Sequence, residues 1–545
     1  MFLMTSSNMS VPKLLDEVDP MESRVMQSAD GFRYLMKRNI ALTVLSISLF
    51  MDKEVLQQYL TQYGQRIRIL EFCGHCGNVD SWQLYYDLLQ YCPRLQAIVF
   101  RRGASFLCTQ DVAEFTHCCP QLQLLKFENK FHMMVPKGIR AYDKTQPNLA
   151  IAALPQLRSF TLHGYSKSTV NLTTALAQNC PALTAIDLTG CTGLTGAALV
   201  KLGTDAVFTL QKVNLNQCSK LTSVEMIAFL TANGEKNEAL ISLHLSKTEV
   251  SNDLLTALAQ KCPSLLLLDV RQSRGFTAAG VTALVQGCTA LTSLSFANTD
   301  AVTDDGVDLL TLHCARLEAL VLHSCSKITD ASLEYISRRC AHLRTLDIGG
   351  RSTVTEAGFI ATLSTVRTGF HRSDPPMDSP PQVADSDVTN NNIPVDGAQE
   401  DVQQGAVLEG TFGAQLTDLN VSDLAALGEG ALQAIAAHCP RLRKLDISGL
   451  KRIAESSIVA VAQGLSNAAA ARCSSTVEET GLRELVLNEH YHLRDEAVRA
   501  VATLLGSSLR VLSLAGCEKL TDGGLVVVAQ QCRGSGACGS AVSTP

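Results

Sequence analysis

The sequence predicts an α/β solenoid, a stack of coils with parallel strands on its concave face and helices on its convex face. Three observations predict it. A leucine pattern recurs about every 26 residues. Each period opens on alternating apolar and polar residues, then carries apolar residues at helical spacing and closes on Cys or Cys-Pro.

The cleanest copy begins at Leu317 and runs through Leu320, Leu322, Cys325, Ile328, Thr329, Asp330, Leu333, Ile336 and Cys340 to the next start at Leu343. Leu320 and Leu322, two apart, share one face of a short strand while their neighbours face solvent. Leu333, Ile336 and Cys340 fall at i, i+3 and i+7, which makes one buried helical stripe. Asp330, Asp304, Asp253, Asp495 and Asp522 stand just before such stripes. There a carboxylate can accept hydrogen bonds from the orphan amides of a helix start, so they are expected to be helix caps rather than acids. The pairs at Cys92, Cys119, Cys180, Cys262 and Cys439 close helices, because the proline that follows each cannot extend an amide ladder.

About sixteen units follow from this register. They start at Leu42, Ile67, Leu95, Leu122, Leu157, Leu183, Leu210, Leu240, Leu265, Leu291, Leu317, Leu343, Leu416, Leu442, Leu482 and Leu509. One unit cannot bury its own apolar face, so stacking is obligatory. At ~4.8 Å per strand the inner arc is expected to be about 75 Å long, which suits a protein partner.

These residues carry a family resemblance. LEALVLHSCSKITDASLEYISRRCAHL, residues 317–343, resembles the cysteine-containing leucine-rich repeat of F-box proteins and antagonist-of-mitotic-exit-network proteins, and the likeness extends from about Leu42 to Cys532. It implies a leucine-rich-repeat solenoid. It also implies a substrate receptor for a Skp–cullin–F-box (SCF) ubiquitin ligase, acting in ubiquitin-dependent protein catabolism. The adaptor would dock on an F-box that precedes the repeats, where Val11, Pro12 and Leu15 resemble the start of that motif. A structural or cytoskeletal repeat scaffold with no ligase link is the alternative.

The expected organisation is an N-terminal cap or degenerate F-box-like segment over 1–40, a first solenoid part over 41–369 and an acidic insertion over 370–415. A second solenoid part over 416–532 and a tail over 533–545 complete it. The insertion is rich in Pro, Asp, Asn and Gln with no apolar periodicity, which predicts disorder; Ser379 before Pro380 is read as part of an unmodified spacer. Residues 466–481, rich in Ala and Ser, are expected to lengthen a loop. Residues 129–148 add Lys130, Lys137, Arg140 and Lys144 to Phe131 and Tyr142, read as a solvated loop rather than a nucleic-acid grip.

Composition narrows the function. Hydrophobic residues make up 46% and aromatic residues only 5%, so the core must be built of Leu, Ala, Val and Ile. A net charge of -6, with both signs scattered, disfavours a basic nucleic-acid face. The apolar run Leu42–Met51 is shorter than the roughly 20 residues of a membrane span. The 19 cysteines are odd in number, follow no secretory signal and recur at repeat positions. A reduced, cytoplasmic chain is expected, with the nucleus as the alternative compartment.

Catalytic motifs are missing: there is no phosphate-binding glycine loop, no H-E-x-x-H, no G-x-S-x-G and no kinase signature, so no enzyme and no cofactor are expected. Cys73 and Cys76 have half the spacing of a zinc site but no second pair follows, and a buried structural role is preferred. His490 and His492 are read as a loop pair. Thiols nine residues into a unit, as at Cys191, Cys218, Cys325 and Cys517, are expected to donate weak hydrogen bonds to turn carbonyls, a role open to Thr248, Ser273 and Thr299 elsewhere. Cys288, Cys314 and Cys340 are expected to stack while remaining reduced.

Binding is expected on the outward strand positions. One row reads Asp187, Asn214, His244, Asp269, Ser295, Val321, Asp347, Asn420 and Asp446; a second includes Arg271 and His323. Asp187, Lys212, Asn214, His244, Asp269, Arg271, His323, Asp347 and Asp446 are the candidate partner-binding residues. The bare turn after Cys532 suggests that the C-terminal end docks a partner or a second copy.

Overall fold

The computed structural model describes residues 29–39, 42–48, 53–73, 88–101, 118–128, 154–165, 169–204, 210–232, 238–366, 410–472 and 481–531. Sixteen strands form one open parallel sheet in chain order. They are β1 Val44–Ser48, β2 Ile69–Cys73, β3 Ala97–Phe100, β4 Leu124–Phe127, β5 Ser159–Leu162, β6 Ala185–Asp187, β7 Lys212–Asn214, β8 Ser242–His244, β9 Leu267–Asp269, β10 Ser293–Ser295, β11 Ala319–Val321, β12 Thr345–Asp347, β13 Asp418–Asn420, β14 Lys444–Asp446, β15 Glu484–Val486 and β16 Val511–Ser513. Each begins two residues after one of the sixteen predicted unit starts, from Leu42 before Val44 to Leu509 before Val511. The chain is a leucine-rich-repeat solenoid.

Side-chain alternation sets what each strand does. The central residues Ile186, Val213, Leu243, Leu268, Leu294, Leu320 and Leu346 are at most 2% exposed, facing a core shared with the helices. Helices such as Asn252–Lys261, Asp304–His313 and Asp330–Arg339 lie on that side of the sheet and stack on one another. Packed helices need about 8–10 Å between axes, whereas paired strands need about 4.8 Å. The sheet therefore takes the inner side of the arc.

The exit from each strand is a left-handed turn. From Gly164 to Gly516, the eighth residue of each of twelve units has positive φ: glycine at 164, 190, 350, 449 and 516, and Gln217, Lys247, Gln272, Asn298, Ser324, Asp423 and Glu489 elsewhere. That geometry aims its amide at the next unit; Gln272 donates to the carbonyl of Ala297 at 2.8 Å and Ser324 to that of Gly349 at 2.7 Å. At Gly350 a side chain is also barred by space, since an added Cβ would lie 2.0 Å from Ser324 Oγ.

The ninth residue turns inward and satisfies a carbonyl of the preceding unit. Cys191 Sγ donates to Leu162 O at 3.1 Å, Cys218 to Leu188 O at 3.1 Å, Cys325 to Phe296 O at 3.5 Å and Cys517 to Leu487 O at 3.0 Å. Ser273 Oγ does the same to Leu245 O at 2.7 Å, and Thr248 reaches that carbonyl from within its own unit at 2.6 Å. Thr299 instead accepts from the amide of Ala301 at 3.2 Å. His490 holds this ninth position in its unit: it is 7% exposed, and its Nε2 lies 2.9 Å from Ile447 O. It is a core substitute for a thiol, which corrects the loop-pair reading.

A second set of cysteines ends the helices. Cys180, Cys262, Cys288, Cys314, Cys340 and Cys439 are helix C-caps and fully buried. Cys288 Sγ lies 3.5 Å from Cys262 O and Cys314 Sγ 3.6 Å from Cys288 O, so the stack is bonded through backbone carbonyls and the thiols stay free. The side chain of Cys73, with Cys76, lies outside the described residues, as do 129–153 and 532–545.

Helix starts correct a sequence expectation. The caps are Thr303, Thr329, Thr355 and Ser251, whose hydroxyls accept from the amides of Gly306, Ala331, Gly358 and Leu254. Asp304 and Asp330 already lie inside their helices, and their carboxylates reach forward to the next unit's cap. Asp330 Oδ1 accepts from the Thr355 amide at 2.8 Å and Oδ2 from Thr355 Oγ1 at 2.6 Å. Asp495 does this for Thr521, and Glu356 for the amides of Gly428 and Ala431.

The ends and interruptions are also defined. Helix Ala29–Lys37 buries Phe32 edge-to-face on Tyr59 at 5.0 Å, covering the first unit. Stacked rings Phe72, Phe100 and Phe127, 4.9 Å apart, fill the early core where most later units use an aliphatic residue. β12 pairs directly with β13 across residues 367–409, and Val366 bridges Thr411 at the neck. The solenoid resumes before Leu416, because Phe412 and Ala414 are already in the core. The first part of the Ala- and Ser-rich stretch belongs to the helix Glu455–Ala471, and residues 473–480, the rest of the expected loop, lie outside the described residues.

Candidate functional site

The sheet register assembles the inner wall. Asp187, Asn214, His244, Asp269, Ser295, Val321, Asp347, Asn420 and Asp446 are successive partners across β6 to β14. Lys212 belongs to the neighbouring row with Ala185 and Ser242, where Asp418, Lys444 and Glu484 continue it. Arg271 and His323 stand beyond the strand ends. Neutral Ser295 and Val321 divide the row into a group on β6–β9 and a group on β12–β14, and His323, just past β11, joins the second through Asp347.

These groups bond to one another as well as facing solvent. The row residue accepts from the amide two residues on: Asp187 from Thr189 at 3.0 Å, Asn214 from Asn216 at 3.1 Å, Asp269 from Arg271 at 3.1 Å, Asp347 from Gly349 at 3.1 Å and Asp446 from Ser448 at 3.0 Å. This Asx turn brings the chain out of the strand. A structural need thus explains why Asp and Asn recur in this row, a constraint the sequence reading had not identified.

Three histidines each meet the carboxylate of the following unit. His163 Nε2 lies 3.0 Å from Asp187 Oδ2, His244 Nδ1 3.7 Å from Asp269 Oδ2, and His323 Nδ1 3.2 Å from Asp347 Oδ1. Arg271 clamps Asp269 through Nε and Nη2, both at 2.9 Å, while its own side chain remains half exposed. Burial opposes ionisation of Asp269, but His244 close by and the bonds from Arg271 outweigh it and hold the carboxyl at about 2. Asp187 is held below the usual carboxylate range in the same way, against burial, by His163 and Thr189. The Asp347 bond raises His323, helped by the charges of Asp423 and Asp446.

The wall changes character along its length. In the first units the outward residues Ile69, Ala97, Val99 and Leu124 are apolar and at most 6% exposed, forming a cluster separate from the main core. Beside them Glu71, 2% exposed, accepts from Ser46 Oγ at 2.9 Å and Arg101 Nη2 at 2.8 Å. The polar row that begins at Asp187 on β6 thus follows an apolar stretch of the same wall.

Burial pushes the thiols of Cys191, Cys218, Cys288, Cys314 and Cys325 up to about 12, leaving them protonated and poor nucleophiles. Among the described residues no group of three or more His, Cys, Asp and Glu is placed to hold a metal ion, and no helix is long and apolar enough to cross a membrane. The chemistry on offer is hydrogen bonding and charge, displayed on a pre-ordered surface.

No family model matches the sequence. Similar solved structures include a complex of Rad7 and Elc1 in yeast, at 18% identity over 68% of this chain and 78% of that chain with a TM-score of 0.49. Another is the leucine-rich repeat-containing protein LegL7 from Legionella pneumophila, at 12% identity over 69% of this chain and 99% of that chain with a TM-score of 0.34. The fold assignment rests on the strand order and the repeat register of this chain.

Proposed function

We propose that this chain is a non-enzymatic scaffold that holds a protein partner along the inner wall from β6 to β14. The observation that carries the reading is the continuous register from Asp187 to Asp446, which orders charged and polar side chains on a sheet whose backbone is already fixed. Such a surface binds without the cost of ordering itself. Proximity labelling around the wild-type chain and a Lys212→Glu, His244→Ala, Arg271→Glu variant tests it. Direct neighbours should be lost from the variant, which should be less stable than wild type because Asp269 loses its clamp, so circular dichroism melting must confirm that it is folded at the labelling temperature. An unchanged set of neighbours would remove the wall from consideration.

The finer reading is substrate recognition for an SCF-type ubiquitin ligase, as the repeat resemblance implies, with protein degradation as the outcome. One observation favours the rival reading of a scaffold without a ligase link: helix Ala29–Lys37 is engaged in covering the first unit through Phe32. Co-purification of the full chain with the ligase adaptor decides between them. Recovery that is lost on removing residues 1–28 supports the ligase role, and no recovery supports the rival. Self-association through the C-terminal end is a separate proposal, tested by mass in solution.

A further inference from the structure

The connection that leaves each strand is one residue shorter after β8 than after its neighbours. Cap Ser251 follows the ninth residue, Thr248, by three places, whereas Thr222, Thr277 and Thr303 follow Cys218, Ser273 and Thr299 by four. The short connection pairs forward: the amide of Val250 donates to Arg274 O at 2.9 Å, and Glu249 bridges Arg274. Beside it the exit rim opens into a cleft of about 590 Å³, lined by Lys247, Thr248, Glu249, Gln272, Arg274 and Asn298.

The polar groups of this cleft are available. Lys247, Glu249, Gln272, Arg274 and Asn298 are exposed, and among the described residues none of their side chains makes a hydrogen bond or an ion pair. The arrangement is also particular to this place. Lys247 is the sole cation among the twelve eighth residues from Gly164 to Gly516. At the tenth place Arg274 is matched among the described residues by Lys451, whose unit has Gly449 at the eighth. Only between β8 and β9 does a cation at the eighth place meet one at the tenth place of the next unit. Lys247 and Arg274 against Glu249 leave one positive charge in excess, which suits one carboxylate. A phosphoryl group brings about two negative charges and would meet Glu249 as well. Gln272 and Asn298 each carry an amide that both donates and accepts, as peptide groups require. Lys247, Gln272 and Asn298 lie on adjacent units ~4.8 Å apart, so about three residues of extended peptide span them.

We propose that this cleft binds a short extended segment of a partner protein through a single Asp or Glu, whose carboxylate sits between Lys247 and Arg274 while Gln272 and Asn298 pair with the segment's backbone. The cleft lies on the exit rim, outside the rows of the inner wall, so its fate does not depend on that of the wall. The probe is a phage-displayed library of random peptides, panned on the immobilised full chain and counter-selected on a Lys247→Glu, Arg274→Glu variant. Enriched peptides are then labelled with fluorescein and titrated into the full chain by anisotropy.

Enriched peptides should share one Asp or Glu and bind saturably, about tenfold or more weakly when that residue becomes Ala or when the double variant is used. Lys247→Gln with Arg274→Gln, which removes the charges without adding acid, should weaken binding in the same direction. Glu249→Gln should tighten it, and Lys451→Glu should leave it unchanged. Circular dichroism melting confirms that each variant is folded. No enrichment, enriched peptides without an acidic residue, or equal loss in the Lys451 variant overturns the proposal. Displacement by inorganic phosphate beyond that by sodium chloride of equal ionic strength also overturns it, because a phosphoryl group would then be the better occupant.

Discussion

Asp304 and Thr329 join two successive helices: Asp304 Oδ1 accepts from the Thr329 amide at 2.9 Å and Oδ2 from Thr329 Oγ1 at 2.8 Å. Thr329 in turn caps its own helix by accepting from the amide of Ala331 at 3.2 Å. A carboxylate at the first position of one helix thus orients the cap of the next. The same relation recurs at Asp330 with Thr355 and Asp495 with Thr521, so it couples units along the outer rim.

Replacing Asp304 with Ala removes two bonds to Thr329 and one to Ser332. Partial exposure screens the charge, so a loss of about 0.5–1 kcal/mol is expected. Exposed Asp305, the next residue, serves as the control, and Asp305→Ala should change urea unfolding far less. Equal effects of the two variants would reduce Asp304 to a generic helix-terminus charge.

Asp269 carries an acid-dependent contribution to stability. Its folded pKa of about 2 lies below the ordinary carboxylate value, so its contribution is fully present above about pH 4 and is lost as pH falls toward 2. An Asp269→Asn variant should be less stable than wild type at pH 7, with the gap closing below pH 3. A gap that stays constant with pH would show that the carboxylate charge is not what Arg271 and His244 hold.

His323 and His490 titrate in opposite senses. The Asp347 bond raises His323, so its contribution is present below its unfolded pKa and is lost as pH rises through the folded value. Burial lowers His490, so the unfolded chain gains its proton first and stability falls as pH drops below about 6.5. His323→Gln should therefore flatten the alkaline side of the stability profile and His490→Cys the acidic side. His490→Cys should also fold normally, since Cys517 fills the same place one unit later. Proton titration of each ring by NMR reads the two shifts directly.

Gln272 adopts φ +56, a conformation disfavoured for residues with a Cβ. Gln272→Gly should stabilise the chain by up to about 1 kcal/mol, since glycine enters that region without steric cost even though it gives the unfolded chain more freedom. Gln272→Val should destabilise it by more. Denaturant midpoints measure both, and a destabilising glycine would mean that the Gln272 side chain contributes packing beyond the turn.

Much of the fold was legible because repetition turns weak local signals into a register. Leu317, Leu320, Leu322 and Cys340 are individually unremarkable, but their recurrence locates the strand starts and the helix ends at Cys180, Cys262, Cys288, Cys314, Cys340 and Cys439. The rows containing Asp187 and Arg271 followed from the twofold alternation of a strand. The turn at the eighth residue was within reach too, through the glycines at 164, 190, 350, 449 and 516.

What the sequence alone determined is the coil: which residues enter the core, where each unit begins and which side chains share the inner wall. Those properties depend on spacing within one unit. Only the tertiary structure decided where Asp304 sends its carboxylate, that His490 replaces a buried thiol, and that Asp187 and Asp269 sit beside histidines of the preceding units. Each is a contact between units, set by the packing distance of neighbouring coils and the direction in which a side chain leaves its backbone.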